Sequence, residues 1–355
     1  MTNRDPAGEL DIGRKIAVLS FLSMVSVVYI HHNAIGTAEP AHWSRVAQTF
    51  FTRALTDWAV PFFFVMSGFV MSGFRFARGR YVQKTEDEPS FYIKKMRTLL
   101  IPYLLWAVIG AIVCLPVILF NNHLNHSPLF ARTCLGAEGI WEGVDRLFGV
   151  TRNGPTGNLA LWYVRTLLVF FIAAPVWKAL FRLSHWIPLT IGLPLAFLAP
   201  EDWIPGTGLK AGSLGWLLCG MGLSGWLAEN RKLSRRAAVF CGVAWGILSF
   251  AKAWGGADCS QLIPVVAIAC LWSVSDWGFL YRRWMRPTFW VYCLHGALAA
   301  YSLNGPLFLF GKGDVATLLI ILTMPWMNIA VCLLLAGVVR RKFHFGYEVL
   351  TGGRA

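Results

Sequence analysis

Ten runs of mostly apolar residues follow one another along this chain of 355 residues, near 15–36, 55–74, 98–120, 159–177, 187–200, 211–228, 236–254, 261–280, 288–310 and 314–339. A helix needs about 20 such residues to cross a hydrocarbon core about 30 Å thick. The fifth run is the weakest, being short and carrying Pro188, Pro194 and Pro200. Only 14% of the residues are charged and 56% are hydrophobic, whereas a soluble domain carries about 25% charge. Seventeen Trp and twenty-five Phe suit aromatic belts at two membrane interfaces. The expected fold class is all-α, a polytopic membrane bundle of about ten transmembrane helices. It forms one domain over residues 1–355, with the spans between about 12 and 340 and no internal repeat or low-complexity linker.

The net charge of +14 distributes unevenly. Of 32 lysines and arginines, 23 fall in the N-terminal segment, the even-numbered connections and the C-terminal segment; eight fall in the odd-numbered connections, and Arg165 lies inside a run. Cytoplasmic loops carry the basic excess, so both termini are expected in the cytoplasm of a multi-pass inner-membrane protein. The fifth run gains support here, because without it Arg231, Lys232, Arg235 and Arg236 would lie outside. Basic charge spread along one membrane face, not gathered into a patch, argues against a nucleic-acid partner. The first run is too long for the 7–15-residue core of a cleaved signal, and no A-x-A site follows it. Six cysteines lie in the runs. Cys134 and Cys259 fall in outer connections, where an oxidised pair is open to them. No zinc or haem spacing occurs, so neither a metal nor a permanently bound cofactor is expected.

Two connections exceed what topology requires. The inner one, Arg75 to Arg97, holds seven basic residues against Glu86, Asp87 and Glu88. The outer one, Asn121 to Asn158, ends in the turn-rich "TRNGPTGN", and its "GIWEGVDRLFGV" stretch suits a short interfacial helix. Loops of this length are functional or disordered. An anionic donor from inside and a polar acceptor from outside would suit the pair.

The first run ends in "VVYIHH" at His31 and His32. "DWAVPFFFVMSGFVMSGF" (57–74), "SFYIKKMRTLLIPYLLW" (90–106), "NLALWYVRTLLVFF" (158–171) and "FWVYCLHGAL" (289–298) follow in order. Taken together, from about residue 12 to 340, these segments resemble the acyltransferase 3 family of multi-pass membrane acyltransferases. The resemblance implies transfer of an acyl group, commonly acetyl, from cytoplasmic acyl-CoA to a sugar hydroxyl beyond the membrane. It implies that His31 is the essential histidine, that Lys95 and Arg97 are the cationic pair ahead of the proline, and that Ser67, Gly68 and Phe69 form the S-G-F turn. One position departs: the family's arginine eleven residues before the histidine is Ser20 here. Arg14 lies six residues further back, about 9 Å along a helix and on another face, which suits a membrane-boundary anchor.

Physical reading of the same residues runs alongside. From Lys15 to His31 is 16 residues, about 24 Å of helical rise, which sets His31 in the outer third as a candidate general base. His32 points about 100° away on the same helix. Arg165, in the outer third, is a candidate for holding an oxyanion or a glycan carboxylate, or for snorkelling to the interface. Asp57 is placed either to orient His31 or to cap the second helix. Ser67 beside Gly68 suits close helix packing or the donor path. Lys95 and Arg97 suit phosphate contacts with CoA, and His295 suits a structural hydrogen bond. The expected enzyme is thus a membrane O-acyltransferase. Its donor substrate is acyl-CoA, its acceptor an extracytoplasmic glycan or glycoside, its surroundings membrane lipid, and its protein partners those of envelope assembly. A transporter or flippase of a glycan or lipid-linked precursor is the alternative, against which stands the lack of an inverted repeat.

Overall fold

The computed structural model describes residues 6–32, 41–77, 80–83, 88–125, 136–198, 207–274, 280–310 and 313–354. The chain begins with α1 (Pro6–His31), α2 (His42–Thr49) and α3 (Ala59–Met71), with a π turn over Phe50–Ala54 between the last two. A two-stranded antiparallel hairpin, β1 (Phe74–Ala77) and β2 (Arg80–Gln83), follows in Phe74-to-Gln83 register. Next come α4 (Glu88–Lys95), a π turn over Met96–Leu100, α5 (Ile101–Asn125) and the short α6 (Ile140–Phe148). A 3₁₀ turn at Leu159–Leu161 leads into α7 (Trp162–Ile172), then α8 (Ala174–Leu183), α9 (Trp186–Leu198), α10 (Ala211–Gly222) and α11 (Ser224–Ala228). The remainder is α12 (Arg235–Gly255), α13 (Leu262–Val274), α14 (Thr288–Phe310), α15 (Asp314–Lys342) and α16 (His344–Thr351).

This is a helical bundle, and a helix lies at each of the ten apolar runs. By length and composition five of the described stretches suffice to cross a membrane: Ile12–His31, His42–Met71, Pro89–Val117, Arg235–Gly255 and Asp314–Lys342. A sixth is available if Leu159–Ile172 and Ala174–Leu183, bent by 64° at their junction, act as one span. Pro175 explains the break, since it has no N–H to continue the ladder of α7. α9 and α13 are apolar but have only 13 residues each.

The outward surface is that of a protein solvated by lipid. Val239, Phe240, Val243, Ile247, Phe250 and Trp254 recur at helical spacing along α12 and all are exposed, Phe240 by 73%. α15 does the same with Val315, Leu319, Leu322, Trp326, Leu334 and Val338. A water-soluble monomer rarely shows contiguous apolar faces of this size.

Packing centres on α10, in which all residues but Gly212 and Trp216 are buried. A Cβ at Gly68 of α3 would meet the Leu217 carbonyl oxygen at 1.9 Å, and one at Gly220 would meet that of Val65 at 2.0 Å. On the opposite flank a Cβ at Gly215 would come within 2.3 Å of the Ala196 nitrogen of α9. Glycine thus lets backbones touch on both sides of α10, the packing that membrane helices rely on where lipid removes most of the hydrophobic drive. Gly220→Leu is expected to destabilise the fold by about 1–3 kcal/mol or more, seen as a lower melting temperature in detergent. Gly225→Ala, with nothing within 4 Å of its Cβ, should leave the melting temperature unchanged.

Candidate functional site

α1 brings His31 against His295 of α14, with ring centroids 5.2 Å apart. The simple rise along each helix would separate them in depth, because α14 starts only seven residues before His295. They meet because the connection ahead of α14 lies alongside α1 beyond its first turns. Trp284, in a 3₁₀ turn over Arg283–Met285, stands edge-on to Phe21 of α1 at 5.1 Å. From Phe21 to His31 is ten residues, about 15 Å of rise, and the segment from Trp284 to His295 covers the same depth.

The two histidines at the end of α1, His31 within it and His32 just beyond, separate clearly. His32 is fully buried, and its Nδ1 lies 2.7 Å from the Val28 carbonyl oxygen of its own helix. His31 is half-buried. His295 is fully buried, with Nδ1 3.1 Å from the Val291 carbonyl oxygen. A carbonyl only accepts, so Nδ1 of His295 carries the hydrogen and Nε2 of the neutral ring holds the lone pair. That Nε2 is buried without a hydrogen-bond partner among the described residues. Asn328 of α15 braces the same turn by donating Nδ2–H to the His295 carbonyl oxygen at 3.2 Å.

Beneath this pair lies a cavity of about 810 Å³ at the end of the bundle where α1 carries Arg14 and Lys15. Ser20, Ser67, Lys95 and Arg286 are among its lining residues, and its inner end is formed by Phe63, Tyr163 and Tyr292. Tyr292 precedes His295 by about one turn, with ring centroids 5.9 Å apart, and it lies 5.9 Å from Tyr163. The Tyr163 hydroxyl donates to the Phe63 carbonyl at 3.2 Å and is 2.8 Å from Ser67 Oγ. With its one proton used, Tyr163 accepts from Ser67. Tyr292 donates to the Ala160 carbonyl oxygen. These bonds hold a layer of aromatic rings between the cavity and the histidines.

The other residues expected at the site are placed as follows. Lys95 lines the cavity, its Nζ 4.3 Å from the Phe171 ring centroid. Arg97, two residues on, sits in the π turn and is exposed, outside the lining. Ser67 is in the lining, bonded to Tyr163. Asp57 pairs with Lys252 of α12, which also donates to Ser260 Oγ at 2.6 Å. Arg165 is buried and donates to the backbone carbonyls of Thr207 at 2.6 Å and Val150 at 2.9 Å, tying two loops together. Arg14 is exposed, whereas Lys15 is buried, donating to Asn230 Oδ1 at 2.9 Å and lying 4.2 Å from the Trp272 ring centroid. Cys134, the partner considered for Cys259, lies outside the described residues, as do Arg78 and Lys84 of the inner connection. Tyr163, Tyr292, Arg286 and Arg354 were not anticipated from sequence. The tyrosines sit inside the "LWYVR" and "WVYCLH" segments, which was the available signal.

The loop tied by Arg165 is ordered from α6, the short helix anticipated in the outer connection. α6 ends at Gly149 with φ 59°, and buried Asp145 accepts from Thr151 N–H at 2.6 Å, Thr151 Oγ1 at 2.9 Å and Arg152 Nε at 2.7 Å. Tyr103 of α5 donates to the Phe148 carbonyl oxygen.

A bundle of apolar helices with a basic-mouthed cavity beneath a histidine pair suits the class that the family comparison gives, the membrane acyltransferases. The family model described as "Acyltransferase domain", that of acyltransferase 3, matches residues 15–338, and the chain belongs to that family. No curated protein and no solved structure was found to match the chain.

Two outcomes test this loop. Arg165→Ala strips charged hydrogen bonds from two carbonyls, each worth about 1.5–3 kcal/mol. It should lower the melting temperature and speed amide exchange around Val150 and Thr207. Burial pushes the Asp145 carboxyl up, but the hydrogen bonds from Thr151 and Arg152 outweigh it and hold the group below the usual carboxylate range. A depressed folded-state pKa gives stability that is present above the unfolded value and lost as pH falls through the folded one. The melting-temperature gap between wild type and Asp145→Asn should therefore be full at neutral pH and shrink below about pH 4.

Proposed function

We propose that the chain transfers an acyl group, acetyl in the simplest case, from cytoplasmic acyl-CoA to a hydroxyl of an extracytoplasmic glycan. The observation that carries this reading is the cavity. It is basic at its mouth, aromatic at its inner end, and about one helical turn short of the His31–His295 pair. Its mouth belongs to the end of the bundle on which the basic excess falls, the cytoplasmic end by the positive-inside rule. A slim pantetheine arm would lie along the cavity while the nucleotide stays at the face. Charge then need not enter hydrocarbon, where it costs several kcal/mol.

In the reaction, the acceptor oxygen attacks the thioester carbonyl carbon as the His31 imidazole takes the hydroxyl proton. The C–S bond breaks, the acyl–oxygen bond forms, and the proton passes from the imidazolium to the departing CoA sulfur. His295 positions His31, its own ring fixed by the Val291 carbonyl. Ser67 serves the path through Tyr163 and not as a nucleophile, since among the described residues its hydroxyl bonds to a phenol and to no base. Arg165 and Asp57 act on this reading by holding the outer loops. An inner-membrane location, surrounding lipid and partners in envelope assembly accompany the same reading.

The test supplies the full chain in lipid vesicles with radiolabelled acetyl-CoA and candidate glycans. Label is expected on the glycan, with His31→Ala slowing transfer about 10²–10⁴-fold while the protein elutes as a folded particle. Full activity in that variant removes His31 from the mechanism. A glycan that crosses unmodified, with CoA neither bound nor hydrolysed, overturns the acyltransferase reading in favour of transport.

A further inference from the structure

Beyond α16 the chain turns back on the bundle. Gly352 and Gly353 have φ of 62° and 72°, conformations that side chains rarely adopt. A Cβ at Gly352 would lie 2.3 Å from the Thr98 carbonyl oxygen, so this segment is laid directly on the π turn of Met96–Leu100. Upstream it is firmly held. Tyr347 is buried with its ring 5.2 Å from that of Trp290, Trp106 Nε1 donates to the Leu350 carbonyl oxygen at 2.9 Å, and the Thr351 hydroxyl donates to that of Tyr347 at 2.8 Å.

What the segment delivers is Arg354. Its guanidinium lies 4.2 Å from the Phe289 ring centroid and lines the cavity together with Lys94, Lys95 and Arg286. Cations thus converge from three distant parts of the sequence, and no Asp or Glu is among the described residues of the lining. Among the described residues, Arg354 forms no ion pair with a carboxylate. A guanidinium resting on an aromatic face keeps its planar fork of N–H donors available, and that fork matches phosphate oxygens two at a time. Residues 339–354 lie beyond the range matched by the family model, so family membership does not account for this arrangement.

We propose that Gly352–Arg354 forms part of the donor site and that Arg354 binds a phosphate of acyl-CoA. The inference rests on the donor reading above. It adds a specificity element that favours the nucleotide-bearing thioester over simpler thioesters of the same acyl group.

The experiment measures binding of CoA, and of pantetheine, which lacks the nucleotide phosphates, to the full chain in lipid nanodiscs. Arg354→Ala is expected to weaken CoA about 10–100-fold, the loss of one charged hydrogen-bonding group, with pantetheine affinity unchanged. Arg354→Lys keeps the charge but not the fork, and should weaken CoA several-fold with pantetheine again unchanged. It reads the same contact should the alanine variant fold poorly. Equal or tighter CoA binding by either variant overturns the proposal and makes the segment neutral or a plug, while the donor reading stands. A parallel loss of pantetheine affinity assigns Arg354 to the cavity's shape and also overturns it. A wild-type protein that binds no CoA instead fails the donor reading itself.

Discussion

Backbone-to-backbone contact along α10 is the constraint on which the remaining structure depends. In a bilayer the exposed and buried sides of a helix are both apolar, so burial alone does not say which helices should be neighbours. Close approach does. Gly68 and Gly220 interlock α3 with α10, and Gly192 and Gly215 do the same for α9. Fixing α3 in this way fixes Phe63 and Ser67, and through their hydrogen bonds to Tyr163 it fixes the inner end of the cavity. The glycines therefore sit several bonds from the chemistry yet decide where the cavity stops.

The helical segments were legible because a run of about 20 apolar residues has few other uses. Several were less complete than the runs implied. Pro175 splits one stretch into α7 and α8, and α9 and α13 are shorter than a full crossing. The site was partly legible. The first run marks His31, and helical rotation separates it from His32, whose ring bonds back to Val28. His295 was visible as a residue but not as a neighbour of His31. Sequence arithmetic measures depth from the start of a helix, and α14 starts near the level of Phe21 of α1, which its leading Trp284 touches.

Arg97 is a second case. It stands beside Lys95 in sequence, but two residues on a helix lie about 200° apart. Lys95, Thr98 and Leu99 keep the i, i+3, i+4 spacing of one face and line the cavity, and Arg97 does not. Arg165 is a third. An arginine inside an apolar run signals a function, yet nothing in the sequence says that carbonyls at Val150 and Thr207 will converge on it from loops fifteen and forty-two residues away.

The aromatic layer of Phe63, Tyr163 and Tyr292 has a consequence for the membrane itself. A polar recess at one face and a polar histidine pair further in would together make a short circuit for protons if water joined them. The rings meet tilted or edge-on, and their hydroxyls donate to the carbonyls of Phe63 and Ala160. Among the described residues the two phenol protons of that layer are thus already committed, and the rings part the recess from the histidine pair.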